Sequence, residues 1–272
     1  EGVVASGQAR VVNELYRRLR ARDAAAQLVF CPSVYWGDGS GESPVYGNHG
    51  TYLSTLADQL SPDIFLFWTG DQVVATHISV AAATAYRERC GHRLILWDNY
   101  PVNDGNPTLH LGPVSGRDPG LGDVCYGYMS NPLASQHEMN TIPLLTCLDY
   151  AWNPVAYDPA TSIGQAVLNV AKTPEQAEVL RDLVELFPGM LIYGQGTAYN
   201  PVLTRFGEIL DTPHSRYMAD LYIGHVRKTA TRLDHAFASE FSAAKSTIAL
   251  IMGDMKASYR ATYGIDPVPP HE

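Results

Sequence analysis

Through its first two thirds the chain alternates short β-branched or aromatic runs with stretches of helical spacing, and this alternation constrains the fold more than anything else. Gln8 to Arg22 places Val11, Val12, Leu15 and Leu19 at a 3.6-residue period and predicts a helix. Gln27-Leu-Val-Phe-Cys31 follows as a buried strand, then a Gly/Ser-rich loop from Gly37 to Gly50 that is too polar for an element. Tyr52 to Leu60 predicts a helix, Asp63 to Trp68 a second strand, Ile78 to Arg89 a helix, and Arg93 to Trp97 a third strand. Asp123 to Met129 predicts the fourth. Continuous apolar strands separated by helices are the pattern of parallel βα units, whose sheets are covered on both faces. Four such strands make half of a (β/α)₈ barrel, and half a barrel leaves two parallel edges to be closed or covered.

After about residue 158 only helical patterns remain. Thr173-Pro174-Glu175-Gln176 is a strong start signal, with a Thr cap, Pro at the first helical position and Gln able to cap back. Leu180, Leu183, Val184 and Phe187 form its apolar stripe, which stops at Pro188-Gly189. Thr212-Pro213 predicts another start, with helix to about Tyr263. The expected organisation is therefore a half-barrel over residues 1–159 and an all-helical region over 160–272, with a polar, Pro-rich tail from Asp266 to Glu272. With 46% apolar and 17% charged residues in 272, there is material for a substantial core.

The net charge of −9 opposes a nucleic-acid or anionic-membrane surface, which would need a basic patch. The one dense basic cluster, Arg17-Arg18-Leu19-Arg20, reads as a solvated helix face. Cys31, Cys90, Cys125 and Cys147 are too widely spaced for a metal or redox motif and read as reduced thiols in a core. No run is long and apolar enough to span a bilayer. The nine His residues are scattered, and Gly116 to Gly122 matches no phosphate-binding loop, so neither a metal nor a nucleotide cofactor is expected. The opening Glu1-Gly2-Val3 lacks an initiator Met and suggests a segment upstream, which leaves cytoplasmic and secreted settings equally open.

In barrels the loops after the carboxyl ends of the strands build the active site. Here those ends carry Pro32-Ser-Val-Tyr35, Thr69-Gly-Asp71, Asp98-Asn-Tyr100 and Ser130-Asn-Pro132. Tyr35 and Trp97 offer flat apolar faces to a pyranose, while Asn99, Asp104 and Asn131 can hydrogen-bond its hydroxyls. Each has a plain alternative as core or turn residue. The combination across three strand ends points to carbohydrate.

Several strings in order sharpen that expectation: Phe30-Cys-Pro-Ser-Val-Tyr-Trp-Gly37, Asp63-Ile-Phe-Leu-Phe-Trp-Thr-Gly-Asp71, Leu94-Ile-Leu-Trp-Asp-Asn-Tyr-Pro-Val-Asn-Asp104, Leu111-Gly-Pro-Val-Ser-Gly-Arg117, Ser130-Asn-Pro132 and Ala151-Trp-Asn-Pro-Val-Ala-Tyr-Asp-Pro159. Together they resemble glycoside hydrolase family 84, the O-GlcNAcases and bacterial hyaluronidase-like β-N-acetylglucosaminidases. The resemblance implies that Trp97 floors the sugar, that Asn99, Asp104 and Asn131 hold its hydroxyls, that Tyr35 assists at the acetamido group, and that Cys31 lines the acetamido-methyl pocket. Ser33-Val34 departs from the Thr-Glu that often precedes the Tyr in that family.

The family's mechanism is substrate-assisted and retaining: the substrate's acetamido oxygen attacks the anomeric carbon, and two adjacent Asp residues handle the protons. The resemblance places that pair before the helix beginning near Gln8, and the sequence contains no Asp-Asp. Asp98 and Asp104 are the only nearby substitutes, poorly placed for the acetamido nitrogen. The expected function is thus removal of terminal β-linked N-acetylglucosamine with the catalytic pair upstream; the alternative is a noncatalytic sugar-binding or scaffold protein. Expected partners are an N-acetylglucosamine-bearing glycoprotein or glycan, and an N-terminal half-barrel or a second copy at the sheet edges.

Overall fold

A computed structural model of the chain describes residues 2–104, 108–189 and 200–268. The tail read from the sequence is described as far as residue 268, and Pro269–Glu272 lie outside the described residues. Packing divides the chain into two compact units: Glu1–Tyr100 with Ser115–Asn131 and Ala151–Ala156, and Pro101–Val114 with Pro132–Tyr150 and Tyr157–Glu272. That division is not one cut in the sequence, because the chain passes repeatedly from one unit to the other.

In the first unit, α1 (Gly2–Arg22) leads to β1 (Val29–Phe30), and a short antiparallel pair, β2 (Glu42–Ser43) and β3 (Gly47–Asn48), precedes α2 (His49–Gln59). Then come β4 (Phe65–Trp68), α3 (Val80–Cys90), β5 (Leu94–Asp98) and β6 (Cys125–Ser130). The sheet order β1-β4-β5-β6 is parallel and follows the chain, as in half a (β/α)₈ barrel. The expected loop over Gly37–Gly50 is corrected here. It holds the β2–β3 pair, and Asn48 caps α2 by accepting the Thr51 N–H, so the helix starts earlier than its apolar period suggests.

Alternation along the strands sorts the sheet's two faces. Leu66, Trp68, Leu94, Leu96 and Asp98 are buried on the side of the helices, whereas Phe67, Ile95 and Trp97 are only partly covered. Met129 lies level with Trp97 and is 45% exposed. The pairing skips Tyr126 between Leu94–Cys125 and Ile95–Gly127, a bulge that leaves that ring exposed under the Arg93 guanidinium. Trp68, unassigned from the sequence, is fully buried, and its indole N–H donates to the Gly37 carbonyl at 2.9 Å. In α1 the buried side is Ala5, Ala9 and Tyr16, the two alanines small enough to let α2 approach, while Val11 and Leu15 face outward. Arg17 and Arg18 are exposed and pair with Glu14, as a solvated face should.

The second unit is built on helices: α4 (Thr141–Trp152), α5 (Pro159–Val170), α6 (Pro174–Leu186), α7 (Pro201–Leu210), α8 (Ser215–Ala236) and α9 (Ser242–Tyr263). Thr173 caps α6 by accepting the Gln176 N–H, and Gln176 Oε1 reaches back to the Lys172 N–H at 2.8 Å. The stripe Leu180, Leu183 and Phe187 is buried among Val202, Phe206, Ile223 and Val226. Thr212 does not open a helix. Its hydroxyl bonds back to the Ile209 carbonyl at 2.8 Å and closes α7, and α8 begins at Ser215 after His214 takes a left-handed conformation.

Candidate functional site

The site is easiest to build from Asn99, the first residue beyond β5. Its Oδ1 accepts the Trp97 indole N–H at 3.0 Å and an Asn131 Nδ2 proton at 2.9 Å, which uses both lone pairs. Its own Nδ2 donates to the Val73 carbonyl at 2.6 Å, a partner contributed by the loop after β4 that no sequence signal marked. The Asn131 N–H donates to the Asp98 carbonyl at 2.8 Å, extending the ladder past β6. Three residues from two strand ends are thus locked together. Among the described residues, one N–H remains on Asn99, and Asn131 keeps an N–H and an unengaged carbonyl oxygen. Mixed donors and acceptors beside an indole are what sugar hydroxyls and a pyranose face require. The indole is fixed at its N–H and braced by the Phe67 ring, 5.0 Å away and nearly perpendicular.

Tyr35 comes from the first strand. Pairing between β1 and β4 lapses after Phe30 and resumes beyond both strands, where Thr69 N–H donates to the Tyr35 carbonyl and Gly37 N–H to the Gly70 carbonyl, each at 2.8 Å. The phenol stays partly exposed, and its partial burial raises its pKa above the usual tyrosine value. The Ser33-Val34 departure is absorbed locally. Ser33 joins a cluster with Gln8 and Tyr52, and Val34 is buried with its carbonyl accepting the Tyr86 hydroxyl. Cys31 is exposed, which corrects the expectation that all four thiols are core residues; Cys90, Cys125 and Cys147 are buried. Shielding by the surrounding chain raises the Cys31 thiol, which favours its neutral form.

Asp98 is excluded as a catalytic substitute by its direction. Adjacent strand residues point to opposite faces, so the side chain lies under the sheet while Trp97 lies above it. There it is fully buried, held by Arg117 at 2.6 and 2.8 Å and by the Tyr128 hydroxyl at 2.8 Å. Other motif residues are structural as well. Asp71 anchors Ser79, the cap of α3, through its N–H at 2.7 Å and its hydroxyl at 2.8 Å. Gly116 has φ +72°, and a Cβ there would lie 2.2 Å from the Thr76 carbonyl oxygen. In the second unit, Gly112 faces the Pro188 carbonyl so closely that a Cβ would sit 1.9 Å from it. Asp104 belongs to this second unit and is exposed.

The family model for beta-N-acetylglucosaminidase matches residues 2–185. Over 129 residues the chain is 31% identical to the protein O-GlcNAcase of Rattus norvegicus, a match covering 47% of this chain and 13% of that protein. The Mus musculus protein matches at 31% over 131 residues, again 47% and 13%. A solved O-GlcNAc hydrolase variant from Thermobaculum terrenum superposes with a TM-score of 0.71 at 25% identity, over 95% of this chain and 54% of that one. The chain therefore spans only about an eighth of the curated relatives and about half of the solved structure, with the four-stranded sheet as its share of the barrel. With two thirds of its length under one family model, this chain belongs to the β-N-acetylglucosaminidase family of glycoside hydrolases.

Proposed function

We propose that the chain is the sugar-binding part of a retaining β-N-acetylglucosaminidase that removes terminal β-linked N-acetylglucosamine with help from the substrate's own acetamido group. The observation that carries this is the locked Trp97–Asn99–Asn131 array, whose remaining donors and acceptors suit ring hydroxyls. Trp97 forms the floor, Asn99, Asn131 and Asp104 take hydroxyls, Tyr35 donates near the acetamido group, and Cys31 lines the space for its methyl. The substrate is a glycoprotein or glycan ending in that sugar.

The protons of such a reaction need two carboxylates, one to orient and deprotonate the amide nitrogen and one to protonate the leaving oxygen. No adjacent Asp pair occurs in the sequence, and Asp98 is committed to Arg117. The pair is assigned to polypeptide outside these 272 residues. Hydrolysis of a fluorogenic aryl β-N-acetylglucosaminide tests this, comparing the chain with a version extended upstream by the length of half a barrel. Activity confined to the extended version is the expected result. Equal activity in the short chain overturns the placement of the acids. Binding without activity in either favours a noncatalytic sugar-binding protein.

A further inference from the structure

Asp104 is exposed, yet the residue before it is among the most firmly held in the second unit. Asn103 is completely buried. Its Oδ1 accepts the Ala134 N–H at 2.9 Å, and its Nδ2 donates to the Thr108 carbonyl at 2.9 Å and to Gln136 Oε1 at 2.6 Å. Gln136, 2% exposed, passes the connection on: its Nε2 donates to Thr247 Oγ1 at 2.8 Å. Thr247, 3% exposed, lies on α9 and donates its hydroxyl proton to the Ala243 carbonyl at 3.0 Å.

The chain of bonds has one direction only. Because Thr247 gives its proton to a helix carbonyl, it meets Gln136 as an acceptor, so the Gln136 amide must present N–H to Thr247 and oxygen to Asn103. Asn103 must then present N–H to Gln136 and oxygen to Ala134. Reversing any one amide sets donor against donor or acceptor against acceptor in a dry interior. Asn103 pairs backbone groups at Ala134 and Thr108, but the onward bonds through Gln136 to Thr247 join side chains and satisfy no further loop backbone.

We infer that Asn103, Gln136 and Thr247 are positioning residues, through which the helix α9 holds Asn103 and so orients the adjacent Asp104 toward substrate hydroxyls. The inference rests on the sugar-binding role proposed for Asp104. It gives the helical region a share in substrate recognition that no contact with sugar would reveal.

The test uses the active protein that carries this chain, with an aryl β-N-acetylglucosaminide as substrate and a stable mimic of N-acetylglucosamine oxazoline as inhibitor. Thr247→Val keeps the volume and removes the acceptor; Thr247→Ser keeps the hydroxyl and loses the methyl. The expected result is a rise in KM and inhibitor Ki of roughly 10- to 100-fold in the Val variant, with kcat changed far less and Ser close to the parent. Thermal transitions of both are recorded alongside. A Val variant with parental KM and Ki overturns the inference whatever its transition temperature, as does a Ser variant as weak as Val, which would make the site one of packing. Should Thr247→Val not accumulate as folded protein, Gln136→Asn, too short to reach Thr247, carries the same expectation and the same refutation. Asp104→Ala is the control. If it leaves KM unchanged, the proposed role of Asp104 falls; if it abolishes binding while Thr247→Val does not, only the positioning role falls.

Discussion

Trp97 and Asp98 are neighbours that the pleat sends in opposite directions, one to the open side of the sheet and one into the helix-covered core. Burying a carboxylate is tolerable only with full compensation, and Arg117 and the Tyr128 hydroxyl supply it. Arg117→Met should therefore cost about 3–5 kcal/mol in urea unfolding, because an unpaired charge stays behind. Adding Asp98→Leu to that variant should recover most of the loss; a single variant costing under about 1 kcal/mol would show that the pair is not held as described. The same two residues show what the sequence reveals. The motif Leu94–Asp104 marks the strand end, but only the alternation of side chains about the sheet separates Trp97 on the open face from the structural Asp98.

Among the elements, α6 is the one whose boundaries were most legible, because Thr173, Pro174 and Gln176 satisfy the end of the helix by local chemistry alone. Thr173→Ala should lower stability by about 1 kcal/mol, measured by chemical denaturation, with no change in sugar affinity. β4 and β5 were legible for a similar reason: buried parallel strands are continuous apolar runs. What escaped the sequence was decided by partners far along the chain. α1 was recognised as a helix, but whether Val11 or Ala9 faced inward depended on α2. Thr212-Pro213 has a helix-start pattern, and the Ile209 carbonyl claimed the hydroxyl first. The partner of Asn99 is a backbone carbonyl at Val73, and no side-chain pattern announces that. The sequence also gave no hint that Asn103, Gln136 and Thr247 meet.

At the scale of the whole molecule, buried titratable groups set a pH window for stability. Burial raises the Cys90 thiol to about 11 and the Cys125 thiol to about 12. In the unfolded chain both ionise near ~8.5, so above that pH the unfolded state holds fewer protons and stability falls, by about 1.4 kcal/mol per pH unit for each thiol. The decline should continue until the folded thiols ionise in turn. On the acid side, burial lowers the pKa of His92, whose Nδ1 bonds the Ile64 carbonyl. Below about pH 6.5 the unfolded state therefore takes up the proton first, and stability falls again. Thermal melts from pH 5 to 11 should show a plateau between these limits; a flat profile above pH 9 would contradict the burial of the thiols. The repeated passage of the chain between its two units has a further consequence, for synthesis. The sheet unit is not complete until Ala156 has been made, and Leu109, Leu111, Leu133 and Ile142 emerge from the ribosome before the helices that cover them have been synthesised. At typical rates of about 5–20 residues per second, those side chains wait on the order of ten seconds for α8 and α9. A nascent chain of this design should be a chaperone client in that interval, and slowing translation after residue 156 should lower its soluble yield more than slowing it before.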